Sequence, residues 1–238
     1  CGNACATGQF CAAGACVTIA GPSFQVNNLT TTACAAIEHA GTTGDDRGGI
    51  AVSTARVFYT GDSATGRFDL ANLGTPTSVG RQYDALTSNL RDGTVYTLAT
   101  GTTPIPSGGG SADGLVVIDG STGALTTTRI AFSTPIAMTT NAGIFAGYDR
   151  LVLYSGTRLY HVDLRAGSAG AVTDLGAFTF PTRSGCESWA FWGVAEFFAG
   201  NLYVTYVQSS TAIARTRVPD GTTTVVNTFT NLSDMCSF

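Results

Sequence analysis

The sequence contains no lysine, and charged residues make up only 12% of its 238 residues. Arginine therefore supplies all twelve basic side chains, and the net charge is −4. A nucleic-acid-binding protein needs a dense basic surface, so the composition argues against this class. Long apolar runs are missing too, since none approaches the roughly 20 residues of a membrane-spanning helix. We therefore expect neither a nucleic-acid partner nor a membrane span.

Threonine, glycine and aliphatic residues take the place of the missing charge. Hydrophobic residues make up 44% of the chain, and 30 residues are glycine. Disordered chains combine low hydrophobicity with high charge, so this composition excludes disorder. Threonine and other β-branched residues are enriched in strands, whereas the helix formers glutamate and lysine are scarce or absent. The composition predicts a soluble, all-β protein.

Four of the seven cysteines, Cys1, Cys5, Cys11 and Cys16, lie within the first sixteen residues. Small residues that cannot build a core separate them, a pattern typical of a disulfide-stapled module, here residues 1–20. Zinc is the alternative, although C-x2-C pairs and nearby histidines are absent. Four cysteines allow three pairings, and the sequence does not choose among them. Disulfides form in oxidising compartments, so we expect a secreted or cell-surface protein.

The opening segment has the pattern C-G-x-x-C-x-x-G-Q-x-C-x-x-G-x-C. It resembles the small Cys-rich repeats of large exported bacterial proteins. This resemblance implies export and implies nothing about activity. The odd cysteine count then has two explanations: a partner cysteine outside the sequence, or a lipid-modified Cys1 at the start of a mature lipoprotein. We favour the first, with the chain beginning after processing or within a longer polypeptide.

Strand–turn–strand stretches recur from residue 24 onward, and each carries an aspartate at its turn. Two turns share the pattern D-x-[SA]-T-G, which begins at Asp62 and at Asp119. Aspartate accepts hydrogen bonds from the backbone that follows it, and glycine tolerates a positive φ, so this pattern closes a hairpin. Related stretches place Asp163 and Asp220 at similar intervals.

Two further sets of segments accompany these hairpins. Near-continuous β-branched and aromatic runs predict strands buried on both faces, at 56–60, 94–98, 150–154 and 201–207. Glycine followed by small apolar residues predicts innermost strands that open at Gly49, Gly143 and Gly193. Three or four strands per repeat of about 50 residues predict a β-propeller over residues 24–238. We expect four or five blades, with an incomplete last blade as one variant and a β-sandwich or solenoid as the alternative fold.

The most polar loop contains Asp45, Asp46 and Arg47. Its paired carboxylates are candidates for binding Ca²⁺ or a sugar. The alternative is a loop in which aspartate caps a turn and pairs with arginine, and the spacing of a calcium-binding loop is missing. We therefore predict no cofactor, with calcium at this loop as the alternative.

A carboxylate pair is the second candidate site. Glu196 occupies a predicted innermost strand and Glu187 lies just upstream, an arrangement compatible with the acids of a five-bladed glycosidase. A structural carboxylate paired with arginine is the favoured interpretation. His161 lies in an alternating strand, which favours a structural histidine. The aromatic residues between 189 and 198 favour core packing over sugar stacking.

A disulfide between Cys186 and Cys236 is predicted within the propeller. The two cysteines are one repeat apart, and equivalent positions of adjacent blades are neighbours. That placement is compatible with the Cα separation of about 5.5–6 Å that a bridge requires. Cys34 is out of this register, so we expect it to be free or paired with a residue beyond Phe238.

The sequence shows no catalytic signature. It therefore favours a non-catalytic, extracellular structural or adhesive module of a longer bacterial surface protein, with fibre assembly as one form of that role. The expected partners are further copies of the chain, other surface proteins or glycans. A carbohydrate-binding lectin is the first alternative, and a five-bladed glycoside hydrolase is the second.

Overall fold

The computed structural model divides the chain into two compact units, Cys1–Cys34 and Ala35–Phe238. The structure describes residues 9–12, 15–18, 50–60, 64–70, 72–83, 85–105, 110–139, 142–178, 190–198, 201–209, 212–218 and 223–228. Within these ranges every regular element is a β-strand, and no helix is present that could span a membrane.

The first unit contains a β-hairpin of two four-residue strands, β1 (Gln9–Ala12) and β2 (Ala15–Thr18). The strands pair antiparallel, with Gln9 opposite Thr18 and Ala12 opposite Ala15. A connection of two residues therefore joins them, which is the commonest length for a hairpin. The hairpin falls inside the Cys-rich segment.

The second unit contains four successive antiparallel blades within the described residues. Blade 1 consists of β3 (Ile50–Val52), β4 (Arg56–Thr60), β5 (Thr65–Asp69) and β6 (Asn72–Ser78). Blade 2 consists of β7 (Leu86–Ser88), β8 (Val95–Thr100), β10 (Gly110–Ile118) and β11 (Leu125–Met138), with the short β9 (Thr103–Pro104) paired to β8. Blade 3 consists of β12 (Ala142–Gly147), β13 (Arg150–Ser155), β14 (Arg158–Asp163) and β15 (Val172–Ala177). Blade 4 consists of β16 (Ala190–Phe198), β17 (Asn201–Ser209), β18 (Ala212–Val218) and β19 (Thr223–Thr228).

The first strands of the four blades lie next to one another. Strand β3 contacts β7, and β7 contacts β12. Strands β12 and β16 pair directly in parallel, with Phe145 opposite Gly193. The blades therefore radiate from a shared set of first strands, which is the β-propeller that the sequence predicts. Gly143 and Gly193 lie in two of these inner strands, and Gly49 directly precedes a third, outside the described residues.

Three apolar clusters of described residues fill the spaces between adjacent blades. The cluster between blades 1 and 2 includes Phe58 and Leu86, and the cluster between blades 2 and 3 includes Leu98 and Leu153. The cluster between blades 3 and 4 is built from residues such as Val152, Leu159, Leu202 and Val204. Among the described residues, blades 2 and 3 each contribute to two of these clusters, whereas blades 1 and 4 each contribute to one.

This arrangement explains which strands are buried on both faces. Residues 95–99 of β8 and 151–155 of β13 are buried throughout, as the sequence predicts. The same prediction is wrong for β4 and β17. Phe58 is the fully buried residue of β4, and on β17 the partly exposed Tyr203 alternates with buried Leu202 and Val204. Within the part of the chain that the structure describes, these two strands belong to blades that contribute to one cluster, and the described side chains of each strand are buried on one face.

The recurrent aspartates do not all occupy equivalent turns. Asp119 directly follows β10 and Asp163 is the last residue of β14, so both lie where the third strand of a blade turns into the fourth. Asp62 lies outside the described residues, but it falls between β4 and β5, the second and third strands of blade 1. The residue of blade 1 that corresponds to Asp119 is Asp69, at the end of β5. The shared D-x-[SA]-T-G pattern therefore does not mark a common position in the blade.

Candidate functional site

Several predicted site residues lie outside the described residues, so the hypotheses built on them stay predictions. They are Asp45, Asp46 and Arg47 of the polar loop, Glu187 of the acid pair, and Cys1, Cys5, Cys34, Cys186 and Cys236. Among the residues that the structure does describe, no group of three or more histidine, cysteine, aspartate or glutamate side chains is placed to hold a metal ion.

Glu196 is the member of the acid pair that the structure describes. It lies on β16 with its side chain half exposed, and its Oε1 is 3.7 Å from Nη1 of Arg215 on β18. The guanidinium of Arg215 also lies over the ring of Tyr203 on β17, 5.1 Å from the ring centroid. Glu196 therefore belongs to a three-residue group that we call the blade-4 polar face, consisting of Glu196, Tyr203 and Arg215.

Strand alternation places these three side chains on one face of blade 4. Their sequence neighbours Ala195, Val204 and Ala214 are fully buried and belong to the cluster shared with blade 3. Successive side chains of a strand point to opposite faces, so the polar residues lie on the face away from that cluster. The face combines an aromatic ring with a hydrogen-bond donor and an acceptor, groups that suit a hydroxyl-rich ligand.

A second polar group joins the turns at the ends of blades 2 and 3. We call it the blade-end network, and it consists of Asn89, Arg91, Asp149, Asp163 and Arg165. The Asp149 backbone N–H donates to Oδ1 of Asn89 over 2.8 Å, and Nδ2 of Asn89 donates to Oδ1 of Asp149 over 3.2 Å. Arg91 pairs with the other carboxylate oxygen of Asp149. Asn89 is buried, so its amide is committed to this contact.

Asp163 extends the network on blade 3. Arg165 donates to both carboxylate oxygens of Asp163, with the shortest contact at 2.5 Å from Nη2 to Oδ2. This hydrogen bonding holds the pKa of Asp163 well below its usual value, and a bond from the Arg165 backbone N–H adds to the effect. The Leu164 N–H donates to the Asp149 carbonyl over 2.9 Å, which ties the two turns of the blade together.

The turn after β10 in blade 2 is joined to strands β4 and β5 of blade 1 by a different set of contacts. Asp119 closes its turn by accepting hydrogen bonds from the N–H groups of Ser121 and Thr122, which lower the pKa of Asp119. The Ser121 carbonyl then accepts hydrogen bonds from Arg56 of β4 and Arg67 of β5, at 3.0 and 2.5 Å. The aspartate turn of one blade is thus a docking point for the arginines of its neighbour.

His161 lies in the middle of β14, opposite Val152 on one side and Thr173 on the other. Burial lowers the pKa of His161, and the nearby positive charge of Arg150 acts in the same direction. Both effects favour the neutral imidazole at neutral pH. The surroundings are those of a strand histidine packed within a blade.

Sequence reasoning missed the blade-end network. Asn89 and Asp149 lie in short turns that follow the first strands of two blades, and they are 60 positions apart in the chain. A short-range signal was available at Asp92, whose carboxylate accepts the Thr94 N–H and whose neighbour Gly93 has a φ of +70°. That signal identifies a turn, but it does not identify the turn's partner in the next blade.

No family model matches the chain, and no curated protein matches it. Three solved structures with some similarity are Hsv2 from Kluyvelomyces marxianus, BamB from Moraxella catarrhalis and a glycoside hydrolase family 43 arabinoxylan arabinofuranohydrolase from Bacillus subtilis. Their sequence identities are 12%, 13% and 11%, with TM-scores of 0.37, 0.34 and 0.40. The alignments cover 74%, 74% and 78% of this chain, and 49%, 51% and 50% of those chains. The chain therefore spans about half the length of each protein, and these likenesses carry no functional argument.

Proposed function

We propose that this propeller is a non-catalytic structural or adhesive module that works outside the cell or at the cell surface. The Cys-rich opening segment supports the compartment, because cysteine-dense small modules occur in oxidising environments. The propeller supports the non-catalytic role, because its described carboxylates form structural contacts.

The observation that carries the proposal is that the carboxylates of the described residues act as turn closers and ion-pair partners. Those paired with arginine are Asp69, Asp113, Asp149, Asp163, Asp174 and Glu196. Asp92 and Asp119 accept backbone N–H groups of their own turns. A hydrolytic centre needs carboxylates that are available to a substrate, whereas each of these groups is engaged by an arginine or by the backbone of its own turn.

The outermost strands indicate how such a module contacts its partners. In each blade the pairing of the third and fourth strands is interrupted by a register shift. Pro76 lies in β6 and Pro135 lies in β11. Bulges and prolines at sheet edges disfavour the addition of a strand from another chain. We therefore expect contacts through side-chain faces, in a discrete particle that serves as one module of a surface protein.

Light scattering of the oxidised full chain tests this role. We expect one species whose mass does not rise with concentration, because the blade edges resist strand addition. Filaments that grow with concentration would contradict the discrete-module proposal. Introducing a charged residue at Thr134, an exposed position of β11, would then identify the growing edge if the filaments disappear.

Carbohydrate binding is the second candidate function, and the blade-4 polar face is the observation that favours it. A half-buried tyrosine ring beside a glutamate and an arginine offers both an apolar face and charge-assisted hydrogen bonds to a sugar. A glycan array probed with the full chain and with Tyr203→Ala tests this function. Binding that is lost in Tyr203→Ala and kept in Tyr148→Ala supports it, since Tyr148 is an exposed tyrosine of blade 3. Equal loss in both variants would contradict it.

A further inference from the structure

The hairpin of the first unit places two cysteines at the same register position. Cys11 of β1 lies directly opposite Cys16 of β2 in the antiparallel ladder. The neighbouring pair, Ala12 and Ala15, flanks the two-residue connection. Among the cysteines of the opening segment, Cys11 and Cys16 are the two that the structure describes.

The register also determines whether Cys11 and Cys16 form a hydrogen-bonded or a non-hydrogen-bonded pair of the antiparallel ladder. In a hairpin with a two-residue connection, the flanking residues exchange the hydrogen bond that closes the turn, so Ala12 and Ala15 form a hydrogen-bonded pair. Pairs alternate along an antiparallel ladder, which makes Cys11 and Cys16 a non-hydrogen-bonded pair. The Cα atoms of such a pair are about 4.5 Å apart, inside the range of roughly 4.4–6.8 Å that a disulfide spans.

We propose that Cys11 and Cys16 form a disulfide bond across this hairpin. The two thiols lose two protons and two electrons as the S–S bond forms. A small-molecule disulfide such as oxidised glutathione accepts the electrons and is reduced to two thiols. The strand register holds the two positions in place before oxidation, so closing the bond requires no rearrangement of the backbone. A short cross-strand link would also pin the hairpin in its register.

This bond decides among the three pairings that the first four cysteines allow. A bond between Cys11 and Cys16 excludes both pairings in which a hairpin cysteine is linked to Cys1 or to Cys5. Of the three pairings, the one that remains joins Cys1 to Cys5. The disulfides of the opening segment then join cysteines that are close in sequence, and they do not cross one another.

Peptide mapping of the full chain tests the proposal. The chain is oxidised with glutathione disulfide, denatured in N-ethylmaleimide to block free thiols, and digested with chymotrypsin without reductant. Chymotrypsin cleaves after Phe10 and after Phe24, which separates Cys1 and Cys5 from Cys11 and Cys16. We expect the fragment 11–24 to appear alone, without label, and to gain two hydrogens on reduction.

Any other state of this fragment would overturn the proposal. Linkage of fragment 11–24 to fragment 1–10 would show an interlaced pairing, and linkage to a later peptide would show a long-range one. Label on both cysteines would show free thiols or thiolates released from a metal. The Cys5→Ser variant is the matched control, because the proposal predicts the same oxidised fragment 11–24 in that variant. Its loss in Cys5→Ser would show that the hairpin cysteines depend on Cys5.

Discussion

Asn89 and Asp149 are 60 positions apart in the chain, and each is a hydrogen-bond partner of the other. The Asn89 side chain accepts the Asp149 N–H and donates to its carboxylate. Asp149 adopts a left-handed φ of +55°, which is uncommon for a residue other than glycine and is best tolerated by aspartate and asparagine. The contact therefore fixes an unusual turn of blade 3 against the end of β7 in blade 2.

We expect Asn89→Leu to lower the free energy of unfolding by about 1–3 kcal/mol, because it leaves the Asp149 N–H without its acceptor. Urea denaturation measures this loss. The matched control is Arg91→Ala, which removes an ion pair of the same network at a side chain that is 68% exposed. An exposed ion pair contributes about 1 kcal/mol or less. A larger loss in Arg91→Ala than in Asn89→Leu would contradict the assignment.

Gly170 gives a second prediction. It has a φ of +88°, and a Cβ at this position would lie 2.0 Å from the Ala131 carbonyl oxygen. Gly167 has nearly the same φ, +87°, with nothing within 4 Å of its Cβ position. Gly167→Ala should therefore show the backbone strain alone, about 1–2 kcal/mol.

Gly170→Ala should lose a further 1–3 kcal/mol or so, because β11 must move away from the turn of blade 3. Thermal and urea unfolding of the two variants measure the difference. Equal losses would show that the approach of Gly170 to Ala131 does not constrain the fold.

The pairing of Asp163 with Arg165 predicts a pH dependence. The pKa of Asp163 is lowered in the folded state, mainly by its hydrogen bonds with Arg165. A lowered pKa contributes stability above the unfolded value of about 3.9, and this contribution is lost as the pH falls through the folded pKa. We expect the stability gap between the wild type and Asp163→Asn to be constant above about pH 5 and to close as the pH falls below about 4.

Urea unfolding across this pH range gives the two curves. The control is Asp174→Asn, which removes an exposed pair with Arg158 and should produce a smaller gap. A gap for Asp163→Asn that widens as the pH falls would contradict the assignment.

Strand β13 tests the packing between blades. Val152 and Leu153 are adjacent in sequence and fully buried, and they belong to clusters on opposite sides of blade 3. We expect substantial losses for both alanine variants, about 2–5 kcal/mol for Leu153→Ala and somewhat less for Val152→Ala. On β17, Val204→Ala should be costly and Thr205→Ala should be nearly neutral, since Thr205 is partly exposed. A neutral Val152→Ala would mean that blade 3 is packed on one face only.

The blade architecture was predictable because it depends on short-range patterns. The run from Arg150 to Tyr154 is apolar at consecutive positions, which is the signature of a strand packed on both faces. Gly143 and Gly193 marked inner strands because small residues are favoured where strands crowd together. The aspartate turns were visible for the same reason, since Asp119 bonds to N–H groups two and three residues ahead.

The contacts between blades were not predictable from such patterns. The arginines that dock on Ser121 lie more than 50 positions upstream of it, and their role depends on how adjacent blades are placed. The sequence similarity between the segments at Asp62 and Asp119 was misleading, since they fall between different pairs of strands in the two blades. The sequence placed Glu196 on a predicted inner strand. It did not identify Arg215 as the partner of Glu196, because that contact depends on the pairing of β16, β17 and β18.

The most direct test of a non-catalytic role is a turnover measurement with the full chain on a panel of glycans and aryl glycosides. Structural use of the carboxylates predicts no hydrolysis above the buffer rate, for the wild type and for Glu196→Gln alike. Substitution at Glu196 should then change only the ion pair with Arg215, with a loss of stability of about 1 kcal/mol or less. Hydrolysis by the wild type that disappears in Glu196→Gln and persists in Asp174→Asn would contradict the proposal and identify Glu196 as a catalytic acid.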